Sequence, residues 1–225
     1  MITLFEFEAS PYCAKVKKVL AFKKLPFEVV EVDFLRRSEP KALSGQSKVP
    51  VIKDGGKVVF DSTTISLYLE DVYPDRPILP RDEKERARVR VLEDWSDEGF
   101  AWSAIPAKLL PPGNAEILVA RSIEKQGSPF VLRALKPLGA TVLRSYGSRR
   151  RARGRTLSQI QDDFRRDLDL LEAMLAGNAF LALEVVTLAD FAVYGFLATM
   201  EGVKGFEEVT ARPRLSAWFE RVRAA

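Results

Sequence analysis

Histidine is absent from the 225 residues, and cysteine occurs once. The first absence removes a Ser-His-Asp triad, a Cys-His pair and any imidazole-ligated metal. The second removes an internal disulfide, and one thiolate cannot build a zinc or iron–sulfur site, so no metal is expected. Long apolar runs are missing as well. The most hydrophobic stretch, residues 179–200, is broken by Glu184 and Asp190 and makes a poor membrane span. Residues 1–8 carry acids in place of a basic leader, so no signal peptide is expected, and the chain reads as cytoplasmic. What remains is ordinary for a soluble globular chain: 47% hydrophobic, 29% charged, net charge +4.

Acidic side chains are also absent between Arg133 and Arg155, a stretch ending in Arg149-Arg150-Arg151-Ala152-Arg153-Gly154-Arg155. Such a run can meet nucleic acid or an anionic surface. It lacks interleaved aromatics for base stacking, so a solvated loop is the expectation, with no nucleic-acid partner.

The first eighty residues alternate strand and helix. Residues 2–7 read as a strand, 11–25 as a helix with Pro11 at its first position, and 27–32 as a second strand, a βαβ unit. In that helix Val16, Val19 and Leu20 form the inward side, with Lys15, Lys17, Lys18, Lys23 and Lys24 expected in solvent. Residues 49–52 and 57–60, joined by Asp54-Gly55-Gly56, read as a hairpin, followed by a helix over 62–73. This order is thioredoxin-like. After the Pro/Asp stretch from Tyr73 to Pro80 only helical patterns remain, over 83–110, 128–146, 157–175, 188–200 and 214–223. The expected fold is an α/β thioredoxin-like domain over 1–78 followed by an all-α helical domain over 83–225.

Three local features have both a plain and a functional reading. Ser10 stands where it caps the first helix, and a helix N-terminus with a hydroxyl donor can also stabilise a bound thiolate. Val49-Pro50 puts a proline at the start of an internal strand. A cis bond there would leave the Val49 backbone free to pair with an extended peptide. Asp61-Ser62 opens the helix after the hairpin, either as a cap or as a grip on a carboxylate and an ammonium. Cys13, the third helical residue, reads as a small buried packing residue.

Taken together, Ser10-Pro11-Tyr12-Cys13, Lys48-Val49-Pro50-Val51 and Asp61-Ser62 resemble the glutathione transferases. So do Thr187-Leu188-Ala189-Asp190-Phe191, similar to that family's capping box, and the final Arg212-Pro213-Arg214-Leu215-Ser216-Ala217-Trp218. The N-terminal stretch is similar to the serine-type members (tau, zeta and bacterial relatives). "LPFEVVEV" also resembles the membrane-associated prostaglandin E synthase, which has Cys-Pro-x-Cys where this chain has Ser10.

The resemblance implies glutathione as co-substrate and conjugation of its thiolate to a small electrophile. By position Ser10 would bond the sulfur, and Val49 with Pro50 would present backbone to the cysteinyl unit. Asp61 and Ser62 would hold the γ-glutamyl end, although the family usually has Glu where Asp61 stands. Lys48 and Arg36 or Arg37 would face the glycyl carboxylate. The second-substrate pocket would draw on Glu8, Ala9, Tyr12, Phe100 and Trp102. A homodimer is implied, with residues 60–73 and 83–102 at its contact and Arg86, Arg88 and Arg90 on its rim. The rival readings are a transferase-fold binding protein without turnover and a thiol reductase working through Cys13.

Overall fold

The computed structural model describes residues 1–32, 38–125, 134–150 and 154–225. Strand β1 (Ile2–Glu6) buries Ile2, Leu4 and Glu6 on one face, as alternation requires. Helix α1 (Pro11–Phe22) crosses to β2 (Phe27–Glu31), which pairs parallel with β1 from Ile2↔Phe27 to Glu6↔Glu31. A short helix, α2 (Ser38–Ser44), leads to the hairpin of β3 (Val51–Asp54) and β4 (Lys57–Phe60). Gly55 takes φ +56 in its turn, where a side chain would be strained. The sheet order is β2-β1-β3-β4, with β3 antiparallel to β1 and β4 antiparallel to β3. Helix α3 (Ser62–Val72) closes the unit, so the thioredoxin-like expectation holds.

The rest of the described chain is helical: α4 (Glu83–Asp94), a π turn (Trp95–Phe100), α5 (Ala101–Leu109), α6 (Asn114–Lys125), α7 (Lys136–Arg150), α8 (Leu157–Met174), α9 (Leu188–Ala198), α10 (Glu207–Thr210) and α11 (Pro213–Ala224). Pro106 does not end α5, which runs through it. Its missing N–H and its ring loosen the preceding turn around Trp102, just beyond the wide π turn. Helix α6 was not expected. Its buried Ala115, Leu118, Val119, Ser122 and Ile123 follow helical spacing directly after the breaker Pro111-Pro112-Gly113.

The two halves meet where α1 lies against α9. Gly195 makes this approach possible: a Cβ there would stand 2.4 Å from the Pro11 carbonyl oxygen. The start of α9 is fixed by Asp190, whose carboxylate accepts from Thr187 N (2.8 Å) and Thr187 Oγ1 (2.9 Å). Asp190 also accepts from Leu181 N (2.9 Å) and Trp218 Nε1 (2.8 Å), so the capping box ties the preceding loop and α11 to the same helix end.

Two of the five α1 lysines depart from expectation. Lys15 is 1% exposed, with Nζ 2.5 Å from Glu93 Oε1 and 2.8 Å from Asp97 Oδ2. Lys23 is buried as well, bonding Glu70 Oε2 at 2.7 Å and the Tyr73 carbonyl at 2.9 Å. Their stems pack as apolar chain while their ammoniums find acids and carbonyls on other elements, which local periodicity cannot show.

Candidate functional site

The chain enters α1 through Glu8, Ala9 and Ser10. Ser10 N donates to the Phe7 carbonyl at 2.8 Å, turning the chain, and Ser10 Oγ accepts from Cys13 N at 3.4 Å. The serine is thus the helix cap, and as an acceptor in that bond it can still donate its own hydrogen to a sulfur. It is half-buried at a helix N-terminus whose second and third residues, Tyr12 and Cys13, carry N–H groups while Pro11 has none. Hydroxyl and helix end together form an electropositive spot suited to a soft anion.

Cys13 is 0% exposed, and burial pushes its thiol up to about 12 against the opposing bonds from Ser10 and Phe7. It is a protonated packing residue at neutral pH and no candidate nucleophile.

The Val49-Pro50 peptide is cis, with Pro50 buried, Val49 half-buried and Lys48 exposed. Asp61 caps α3, its Oδ1 accepting from Thr64 N at 3.0 Å and Thr64 Oγ1 at 3.1 Å. It does so at φ +72, a sparsely populated backbone region for a non-glycine residue and one that concentrates at binding sites. Asp61 is exposed and its second carboxylate oxygen has no partner among the described residues, whereas Ser62 is buried and its carbonyl accepts from Ser66 Oγ at 2.7 Å. Arg36 and Arg37 lie outside the described residues.

The five residues expected around a second substrate divide into four places. Glu8 and Ala9 line a pocket of about 130 Å³ with Leu118, Arg121 and Thr199. Tyr12 lies on the other side, donating its hydroxyl to the Asp97 carbonyl (3.3 Å), an oxygen of the π turn. Trp102 is 43% exposed on α5, and Arg150 of α7 lies over its ring at 5.3 Å. Phe100 is 0% exposed, stacked between Trp95 (5.5 Å) and Phe164 (5.9 Å), and offers a ligand no surface. The π turn rotates it inward, which corrects its place in that pocket.

Three polar groups near this entrance carry no local sequence signal. Glu31, at the end of β2, accepts from Glu8 N at 2.9 Å, and burial pushes its carboxyl up to about 7, helped by the charges of Glu6 and Glu8. Glu8 in turn pairs with Lys125 at 2.8 Å. Lys108 of α5 is buried, with Nζ donating to the Ala9 carbonyl and to Thr199 Oγ1, both at 2.8 Å. It therefore fixes the residue preceding Ser10 to the helical half.

Burial lowers Lys108 from 10.5 to about 7. Between those values the unfolded chain binds more protons than the folded one, so this lysine's contribution to stability rises with pH from about 7 to 10.5. Each unit corresponds to about 1.4 kcal/mol, so the rise amounts to several kcal/mol. Chemical denaturation at several pH values is expected to show this slope in the wild type and a flatter one in Lys108→Met. Parallel curves would sink the assignment.

The sequence matches the N-terminal domain of glutathione S-transferases over residues 4–77 and their C-terminal domain over 148–221. It is 28% identical to prostaglandin E synthase 2 of Mus musculus, covering 100% of this chain and 70% of that protein. It is 29% identical to the protein LigF of Sphingobium sp. strain SYK-6, covering 99% of this chain and 90% of the relative. The crystal structure described as the beta-etherase LigF superposes with a TM-score of 0.70 at 25% identity, over 100% of this chain and 95% of that one. Glutathione transferase F7 from Populus trichocarpa superposes with a TM-score of 0.71 at 18% identity, over 100% and 94% of the chains, a likeness of fold. With a serine-capped α1, the strand–hairpin frame and the Asp190 box in place, the chain belongs to the glutathione transferase family, a family of enzymes.

Proposed function

We propose that this chain conjugates the glutathione thiolate to small electrophiles, with Ser10 as the donor to the sulfur. The observation that carries the reading is the Ser10 hydroxyl, half-buried at the start of α1, its oxygen capping the helix and its hydrogen able to donate. A thiol entering this spot loses its proton to solvent, and its anion is held by the hydroxyl and the helix end. The sulfur–carbon bond then forms as the electrophile's leaving group departs with its electron pair. Val49 and Pro50 present backbone to the cysteinyl unit, the free oxygen of Asp61 faces the γ-glutamyl ammonium, and Ser62 and Lys48 take carboxylates. Asp61 serves in place of the longer Glu because its strained backbone carries it outward.

The reductase alternative loses its support with Cys13 sealed and protonated. The nucleic-acid variant of the binding-protein reading loses ground too. Of the basic run, Arg155 is paired with Asp163, Arg149 and Arg150 are the described arginines left without a carboxylate partner among the described residues, and Arg151 and Arg153 lie outside the described residues, so a phosphate-binding row is not assembled. Retention on immobilised glutathione, followed by conjugation to an aryl halide, tests the proposal. Failure to bind glutathione overturns it, and binding without turnover favours the non-catalytic reading.

The proposal extends to a cytoplasmic enzyme divided near residues 79–82 into its two domains. No described helix is long and apolar enough to cross a membrane. It also extends to a homodimer: Phe60, Val72 and Val91 are exposed on β4, α3 and α4, the elements assigned to the contact. Light scattering at micromolar concentration is expected to give the mass of two chains, and the mass of one chain would refute the dimer. Arg90 is a poor probe of this contact, because it lies 3.2 Å from the buried Glu93 carboxylate and its reversal would disturb the fold.

A further inference from the structure

We infer that Trp102, Tyr146 and Arg150 form a subsite selecting aromatic electrophiles that carry an anionic substituent, the ring lying on the aromatics and the anion on the Arg150 guanidinium. The inference rests on the transferase reading and names its substrate class.

Tyr146 and Arg150 stand four apart on α7 and so share a face, while Trp102 comes from α5. The guanidinium lies 5.3 Å from the Trp102 ring and 5.8 Å from that of Tyr146, with the rings 43% and 42% exposed. Two large rings left this open at one place, on helices separate in sequence, form a surface that needs an occupant.

Two arginines near Arg150 in sequence are ion-paired, and Arg150 is not paired among the described residues. Arg144 is paired with Glu116 and Arg155 with Asp163, but Arg150 has no carboxylate within reach among the described residues. A stacked guanidinium keeps its edge N–H groups available to an acceptor lying in its plane, a geometry that suits a carboxylate. Exposed Arg149 beside it adds to the positive field.

The cluster lies at the reacting end of the molecule. Tyr12, two residues after Ser10, donates to the Asp97 carbonyl of the π turn, which runs directly into the first turn of α5 that carries Trp102. Two acids face the same tyrosine from the π turn. Asp97 gives one carboxylate oxygen to Lys15 and Thr63, its buried second oxygen has no partner among the described residues, and Glu98 is exposed. Glu98 repels an anion, which sets the negative pole of the ligand toward Arg150 and leaves the reactive ring carbon toward Ser10. In the reaction the sulfur–carbon bond forms at the carbon bearing halide, the halide leaves with the bonding pair, and the anionic substituent is a spectator.

The experiment compares a chloronitrobenzoate with its methyl ester as glutathione acceptors, in wild type and Arg150→Gln. The variant is expected to lose about tenfold in kcat/KM for the carboxylate, mostly through KM, and about twofold for the ester. The carboxylate-to-ester ratio thus falls about fivefold, and Arg150→Lys restores part of it. Equal losses for both compounds, or no loss, overturn the subsite. If the wild type turns over neither compound, quenching of tryptophan fluorescence decides. Carboxylate binding weakened in Arg150→Gln upholds the subsite and overturns only the conjugation reading, whereas binding that ignores Arg150 overturns the subsite.

Discussion

Replacing Ser10 by alanine is expected to lower glutathione conjugation between about ten- and a thousandfold. The range follows from removing one charge-assisted donor from a developing or resident anion, which costs about 1.5–4 kcal/mol in water-excluded sites. The half-buried serine caps the helix through its oxygen, so its hydrogen can turn from the Cys13 thiol to a bound sulfur. The loss should appear as a higher pH for half-ionisation of the bound thiol, read from ultraviolet thiolate absorbance, as well as in kcat/KM. Folding should lose only about 1 kcal/mol, the worth of a cap. A variant with full activity and an unchanged thiol titration would remove Ser10 from the reaction, and with it the mechanism proposed for this chain.

That serine was legible because a cap is a local event: serine, then proline, then a run of helical spacing. The sheet was legible for the same reason, since alternation and the Asp54-Gly55-Gly56 turn are written in consecutive residues. What escaped depends on distant pairs. The chain shows Lys15 and Lys23 as charges on a helix, yet their burial is decided by Glu93 and Asp97 and by Glu70, which lie 47 to 82 positions away. Lys108 reads as the basic end of an apolar helix, and only the fold brings the Ala9 carbonyl to it. Phe100 and Trp102 are placed in one pocket by the family resemblance, which carries no information on how the intervening turn is wound. The π turn sends the first into the core and leaves the second beside Arg150, a partner no local pattern could have supplied. The hidden helix α6 was obscured by Pro111-Pro112-Gly113, a breaker that here only ends one helix before the next begins.

The buried lysine of α1 gives the largest expected loss of stability. Lys15 Nζ bonds Glu93 Oε1 (2.5 Å), Asp97 Oδ2 (2.8 Å) and Thr63 Oγ1 (3.2 Å), joining α1, α3 and the α4–π turn segment at one point. Lys15→Met keeps most of the stem's packing and removes the charge, leaving two desolvated carboxylates facing each other. Breaking a buried ion pair from one side costs about 3–5 kcal/mol. Arg90, 3.2 Å from Glu93 Oε2, remains as a partial partner, so the lower end of that range, about 3 kcal/mol, is the expectation. At this chain length that corresponds to a Tm lower by about 6–12 °C. The loss should shrink on acidification, because protonating either carboxylate relieves the repulsion the variant creates. Adding Glu93→Leu should recover part of it at neutral pH, since a buried pair replaced by apolar groups is far less costly than a pair half removed. The site should suffer with the fold. Thr63 adjoins Ser62 at the start of α3, and the Asp97 carbonyl holds Tyr12 near Ser10, so a loosened network shifts both helix N-termini proposed to hold glutathione. A Lys15→Met protein with wild-type Tm, and a double variant no better than the single one, would mean that the network is solvated and holds neither helix in place.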